Sequence, residues 1–336
     1  MMAVRIILFQ YAEYIQLLTI SEVEVNQMQE ATSQVHAVKV TVGMCVKNNE
    51  ATVKEAIDSV VNQDFPHESM ELIIVDGNSQ DRTLKILMES LRNTELDTKI
   101  FSESSGLGMA RQIVVNKASG DYIIWVDGDM ILSKTYVRRQ VAFMDDHPEV
   151  GVASGKYNIH SGQGIVADLE NIVFAVDSVY GGKVASKFGY LPGTEGAIFR
   201  VKAIRQIGGF DTRMNGAAED TDIAYRMKYG GWENAITEEM FTEFTRESWI
   251  ELWNQYAWYG RGGHFIFHKN PEVISLWKMT PMAGFLAGVL RCPQAYLLEH
   301  KKAVFLLPFH YTYKRLAWFF GFLRAHLDGY GHSKPS

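Results

Sequence analysis

Cysteine is almost absent. Cys45 and Cys292 are the only two in 336 residues, and they form neither a CxxC pair nor a metal cluster. A disulfide-stapled scaffold is thereby excluded, and a reducing compartment fits best. Excess positive charge is also lacking. Lys and Arg number 33 against 39 Asp and Glu, a net of −6, which weighs against a general nucleic-acid binder. No low-complexity tract or internal repeat is evident, so wholesale disorder is excluded. There is no GxxxxGK[ST] loop, and Gly106-x-Gly108 meets Arg111 where a dinucleotide fingerprint needs its third glycine. Nucleoside triphosphatases and dinucleotide enzymes are disfavoured accordingly. No GxSxG elbow occurs. His264 and His268 are spaced i, i+4, but Phe265 stands where HExxH requires glutamate, so the pair reads as an exposed face of an aromatic helix. The apolar opening, Met1 to Leu18, is interrupted by Glu13 and lacks a small-residue cleavage site. It reads as a docking helix or a non-native start, too short and mixed to span a bilayer.

What remains is a globular composition, 47% hydrophobic and 21% charged, long enough for one large domain or two ordinary ones. From Val38 the apolar pattern alternates between two periods. Strands are expected at Val38–Val46, Glu71–Val75, Lys99–Phe101 and Tyr122–Val126. Helices are expected at Ala51–Asn62, Arg82–Leu91, Gly108–Lys117 and Lys134–Met144. This βαβ rhythm predicts a mainly parallel sheet whose ligands sit at the carboxyl ends of strands. Further on, short strands are expected near Ile198–Phe199 and Trp232–Ile236, with a helix at Glu219–Tyr229 between them. A long aromatic helix follows at Trp249–Lys269, then apolar stretches at Pro281–Cys292 and Val304–Leu327.

The strand ends carry acids. Asp127-Gly128-Asp129 follows the strand Tyr122–Val126. Two carboxylates at i and i+2, with a glycine that lets phosphate approach the backbone, suit a hard divalent cation such as Mg²⁺ or Mn²⁺. An Asp-Gly hairpin turn is the plainer alternative. Asp76 ends another strand and is placed to meet a base or ribose, whereas Ser79 and Asp81 read as turn and cap residues. Glu219-Asp220 opens a helix, where acids favour the dipole; on the residues alone capping is the simpler role, although one carboxylate there could deprotonate an acceptor hydroxyl.

Taken together, these stretches resemble inverting glycosyltransferases of family 2 across residues 38 to 265. Val75-Asp76-Gly77-Asn78-Ser79-x-Asp81-x-Thr83 is similar to the family's V-D-x-x-S-x-D-x-T. Gly106-Leu-Gly108-Met-Ala110-Arg111 is similar to G-x-x-x-A-R, and Gly120 to Asp129 to G-D-Y-I-x-x-x-D-x-D. Gly208-Gly209-Phe210-Asp211 resembles G-G-F-D, and Glu219-Asp220-Thr221-Asp222 the E-D-x-D helix. The resemblance implies an α/β GT-A nucleotide-diphospho-sugar transferase fold: a mainly parallel mixed sheet flanked by helices, with a C-terminal helical extension. It implies a catalytic domain over 37–270, between an extension at 1–36 and a membrane-associating helical region at 271–336. By the same resemblance Asp220 is the catalytic base, supported by Glu219. Cys45, Lys47, Asp76, Gly108, Arg111, Asp127 and Gly128 would bind the nucleotide sugar. Gly193, Thr194 and Glu195 would face the acceptor, and Asp129 with Asp127 would hold the cation.

The chain departs from the family pattern in three places. Cys45-Val46-Lys47-Asn48-Asn49 lacks the proline and tyrosine of P-T-Y-N-E. Glu243-Phe-Thr-Arg246-Glu-Ser248 has glutamate where H-x-x-R-x-S has histidine, so Glu243 is read as a substitute cation ligand. Gln255-Tyr-Ala-Trp258 breaks Q-x-x-R-W, which disfavours a long polymer product and leaves Arg261 as the nearer diphosphate contact.

Residues 301–336 carry six cations against Asp328, a net of +5, among apolar aromatic runs. That mixture suits association with a membrane surface, at the cytoplasmic face, and a glycan or lipid-linked acceptor. A packed helical pair or an oligomer contact is the alternative. A polyprenyl-phosphate sugar synthase, a sugar-phosphate nucleotidyltransferase and a non-catalytic sugar-binding module are the competing functions.

Overall fold

A computed structural model describes residues 38–160, 162–180 and 191–331. The chain divides into one unit ending at Val38 and a second, compact unit spanning Lys39–Ser336. The expected extension at 1–36 lies outside the described residues.

The second unit is built on one eight-stranded mixed sheet. Its first half is β1 (Val40–Val46), β2 (Met70–Asp76), β3 (Asp97–Ser102) and β4 (Tyr122–Trp125). They pair in parallel in the order β3-β2-β1-β4. The strand sequences explain this placement. Every residue of β2 and β4 is buried, as expected for strands covered on both faces. Val40, Val42, Met44 and Val46 point into one core with helices α1 (Val53–Val61) and α2 (Thr83–Ser90). Ile73, Val75, Ile123 and Trp125 point into the other, against α3 (Leu107–Lys117). Each such aliphatic side chain contributes about 1.5–3 kcal/mol by leaving water. Gly43 has to be glycine, because a Cβ there would meet the Trp125 ring and Val114 at 2.8 Å.

The second half contains β5 (Met130–Leu132), α4 (Tyr136–Asp146), β6 (Val150–His160) and α5 (Gly164–Tyr180). It continues with β7 (Ala197–Arg200), α6 (Val201–Gln206), α7 (Glu219–Tyr229) and β8 (Glu233–Phe244). The sheet runs on as β4-β7-β6-β8-β5, with β7 antiparallel to β4 and β6, and β5 antiparallel to β8. The parallel β6–β8 pair is broken by two register shifts. β4 and β5 do not pair, so Asp127-Gly128-Asp129 is a turn between strands at different places in the sheet and not the hairpin weighed above.

Three long helices follow: α8 (Trp249–Lys269), α9 (Pro281–Glu299) and α10 (Leu307–Leu327). Ser248 and Glu251 start α8 with a reciprocal capping box. α8 and α10 touch backbone to backbone. A Cβ on Gly260 would lie 1.8 Å from Trp318 O, and one on Gly321 the same distance from Ala257 O, so both crossing points require glycine. α10 is also tied to α5, where Glu170 accepts from Lys314 Nζ at 2.7 Å and bonds His310 Nε2 at 2.6 Å. Burial opposes ionisation of Glu170, but Lys314 and His310 outweigh it and hold the carboxyl down at about 2. Lys314 is 7% exposed. It therefore belongs to the interior and not to the basic surface for which its charge was counted.

Candidate active site

The strand order puts β1 between β2 and β4, and the carboxyl ends of β1 and β4 open onto a cavity of about 1250 Å³. Chain segments far apart in sequence line it. Cys45 comes from β1, Asp127, Gly128 and Asp129 from the β4–β5 turn, and Arg111 from α3. Thr194 and Glu195 come from the loop before β7, Glu219 and Asp220 from the first turn of α7, and Glu243 from the end of β8.

Two pairings account for the acid cluster. Antiparallel register sets Glu243 opposite Met130, and Phe244 N donates to Asp129 O at 3.0 Å, so the end of β8 is fixed beside Asp129. Arg111 is 3% exposed, packs over the Trp125 ring at 5.1 Å and reaches two acids. Its Nε lies 3.0 Å from Glu219 Oε1 and its Nη2 lies 3.5 Å from Asp127 Oδ1. The Glu219 approach is an ion pair without hydrogen-bond alignment, since Arg111 Nε and Glu219 Oε2 are both buried without a hydrogen-bond partner. Orphaned buried polar atoms are uncommon, and these two lie in the cavity wall, where a further group could satisfy them. The contrast with Glu71 is informative. That residue is equally buried, but it accepts from Thr41, Lys99 and Ser119 and is structurally complete.

Burial and mutual repulsion raise the acids. Burial, with Asp129 beside it, pushes Glu243 up to about 8. Burial, with Asp220, pushes Glu195 up to about 7. Asp127 and Glu219 are raised by burial against the pull of Arg111. Burial pushes the Cys45 thiol up to about 12, so Cys45 is a neutral wall residue and not a nucleophile. A group of oxygen donors that resists ionising together fits a hard divalent cation, whose charge would relieve the repulsion. Asp127, Asp129 and Glu243 are the carboxylates in the cavity lining that could hold one.

Gly128 is pinned from behind. Thr52 Oγ1 donates to its carbonyl at 2.7 Å, and a Cβ would meet Asn49 at 2.7 Å. The Asp220 carboxylate accepts from Thr221 N and Oγ1 and borders the cavity on the side of Glu195 and Thr194.

Five expected residues are not in the cavity lining. Asp76 is turned into its own loop, where it accepts from Ser79 N and Oγ, and Lys47 packs on Gly77 beside it. Both still sit at the carboxyl ends of β1 and β2. Gly108 serves packing: its N–H donates to Met214 O at 3.0 Å, and a Cβ would meet Asp211 O at 2.4 Å. Gly193 lies behind Glu195, which a Cβ would strike. Arg261 faces the other way, paired with Asp328 at 2.9 Å and stacked on Tyr330 at 4.4 Å. The cationic wall is supplied instead by Arg246, whose Nη1 donates to Asp129 Oδ2 at 3.0 Å. Its signal was present in the Glu243-x-x-Arg246-x-Ser248 register. The G-G-F-D and E-D-x-D runs divide similarly: Asp211 holds Arg213 and Lys269, and Asp222 holds Arg226 and Lys269.

Comparison with known proteins places this architecture. The family model described as Glycosyl transferase family 2 matches residues 41–205. The probable glycosyltransferase YdaM of Bacillus subtilis (strain 168) is 25% identical over 296 residues, which covers 85% of this chain and 64% of YdaM. The poly(ribitol-phosphate) beta-N-acetylglucosaminyltransferase TarS of Staphylococcus aureus (strain Mu50) is 34% identical over 103 residues, 30% of this chain and 18% of TarS. The chain thus spans less than two thirds of the length of either relative. The mannosyltransferase PcManGT of Pyrobaculum calidifontis, solved with GDP-Man and Mn²⁺, shares the fold with a TM-score of 0.59. That match has 16% identity and covers 86% of this chain and 87% of that one. The fold is the GT-A fold, and its segment 41–205 belongs to glycosyl transferase family 2.

Proposed function

We propose that this chain moves a sugar from a nucleotide-diphospho-sugar to a hydroxyl acceptor by a single displacement with inversion. The supporting observation is the one cavity that joins the β4-end aspartates to Asp220. Its volume of about 1250 Å³ exceeds the usual range for a single small ligand and leaves room for donor and acceptor together. Asp127, Asp129 and Glu243 would hold a divalent cation, Mg²⁺ or Mn²⁺, which when bound would neutralise the charge growing on the departing diphosphate. Arg111 and Arg246 supply fixed positive charge on either side of those acids. Asp220 takes the proton of the acceptor hydroxyl as its oxygen bonds to the anomeric carbon. The bond from that carbon to the diphosphate oxygen breaks, and the nucleoside diphosphate leaves with the electron pair. Glu219 holds Arg111 in place. The open ends of β1 and β2, with Lys47 and Asp76, are where the base would extend.

A panel of nucleotide sugars, led by N-acetylglucosamine and mannose donors as the relatives suggest, should show nucleoside-diphosphate release with Mn²⁺ present. Release of pyrophosphate from a nucleoside triphosphate and a sugar phosphate would favour the nucleotidyltransferase reading instead.

We also infer that the protein works at an anionic membrane surface, on a lipid-linked or glycan acceptor. No helix among the described residues is long and apolar enough to cross a membrane. α9 nevertheless exposes Met282, Phe285, Leu286, Val289, Leu290 and Leu297, and α10 exposes Leu316, Phe319, Phe320, Leu323 and Leu327. Each set follows helical spacing, so two apolar stripes face outward. Exposed Lys301, Lys302 and Arg324 supply the positive charge that remains once Lys314 is turned inward. Flotation with anionic liposomes should carry the wild type upward and leave a Leu290→Glu, Leu297→Glu, Phe320→Glu variant behind. Equal flotation of the two would reject the surface.

A further inference from the structure

We propose that His264, His268 and His326 form a binding site for a divalent transition-metal ion, Zn²⁺ by its ligand set, that clamps α8 to the last turn of α10. The sequence spacing suggested an exposed histidine face, but His264 is fully buried, with only His268 and His326 exposed. His264 Nε2 lies 3.1 Å from His268 Nε2 and 3.2 Å from His326 Nδ1. All three nitrogens fall within 4.8 Å of one another. Four-coordinate zinc with bonds of about 2.0–2.1 Å separates its ligand nitrogens by roughly 3.3 Å, so the cluster already has the size such an ion requires.

The tautomer is also set. His264 Nδ1 donates to the Tyr330 carbonyl at 2.6 Å, which leaves the Nε2 lone pair of the neutral ring directed at the other two imidazoles. A backbone carbonyl holding the far nitrogen of a ligand is the usual outer support of a metal-bound histidine. The edge of Phe322, 4.8 Å from the His264 ring, closes the apolar side.

Three imidazoles, with no carboxylate in the cluster among the described residues, select zinc, copper or nickel over Mg²⁺ and Mn²⁺, so this site differs in ligand chemistry from the acid cluster in the cavity. Its place in the fold gives it a purpose. Tyr330 Oη accepts from Asn215 N and Gly216 N, in the turn that leads into Glu219 and Asp220. One ion would therefore fix two helices together with the segment that positions the catalytic turn of α7.

The test uses the full chain stripped with a chelator and titrated with Zn²⁺ against a chromophoric competitor, and with Co²⁺ as a spectroscopic substitute. The wild type should bind one ion at this site with a rise in Tm, and Co²⁺ should show the visible bands of four-coordinate nitrogen ligation. His268→Ala and His326→Ala change exposed side chains and should fold. Each should lose at least about tenfold in Zn²⁺ affinity, and the pair together the Co²⁺ bands. Asp129→Asn should keep both signals. Wild-type protein that takes up no zinc, or a double variant that retains the wild-type affinity and Co²⁺ bands, would overturn the site.

Discussion

Asp220→Asn is expected to lower the rate of sugar transfer by about 10²–10⁴-fold while leaving donor affinity within a factor of about two. The substitution keeps the shape of the side chain and an oxygen for Thr221 N, which Asp220 now accepts from. It removes the ability to take a proton. Asp220 is half-buried at the first turn of α7, on the side of the cavity lined by Thr194 and Glu195, so losing it as a base should disturb the transition state far more than the bound donor. Glu219 cannot stand in for it. That carboxyl is buried against Arg111 and raised by the same burial. Transfer at the wild-type rate by the asparagine variant would remove Asp220 from the role of base.

The second large effect concerns Asp129. Asp129→Asn keeps an acceptor for Arg246 but removes one of the three carboxylates proposed to hold the cation. Mn²⁺-dependent donor affinity should fall by at least about a hundredfold, as a bound cation would supply several kcal/mol by neutralising phosphate charge. pH gives an independent check. In the free protein, burial and the neighbouring Asp129 push Glu243 up to about 8, so a proton sits on that carboxyl near neutrality. A cation must displace it. Wild-type Mn²⁺ affinity should therefore rise with pH between about 6 and 8 and level off above that, with proton release on binding. Calorimetry in two buffers of different ionisation heat measures both. Mn²⁺ affinity that is flat with pH, or unchanged in the asparagine variant, would reject this donor set.

The parts of this molecule that could be read from sequence are those where local pattern and tertiary burial agree. β1, β2 and β4 are apolar runs covered on both faces, and α8 announces itself through Ser248 and Glu251 at one end and Lys269 at the other. The parts that could not be read depend on distant pairing. β5 has only three residues and exists because β8 pairs with it. β6 is interrupted by Gly151 and Gly155 and takes two register shifts, so it shows no clean alternation. α5 begins at Gly164, and its sequence carries no capping residue that would announce a helix there.

The same division runs through the site. Asp127, Asp129, Glu219 and Asp220 lie in local motifs, whereas Arg246 gains its meaning only when β8 brings it to Asp129. Gly108 and Arg261 look suited to phosphate in one dimension, yet three-dimensional packing commits them to Asp211 and Asp328. His326 lies 62 residues from His264, a separation that no local spacing rule would join.

The anomeric configuration of the transferred sugar, read by NMR on the first product formed, bears most directly on how this cavity works. An acceptor activated at Asp220 and attacking opposite the diphosphate must yield the configuration inverse to that of the donor. A product that keeps the donor's configuration would contradict the single displacement and, with it, the role given to the acid pair at the start of α7.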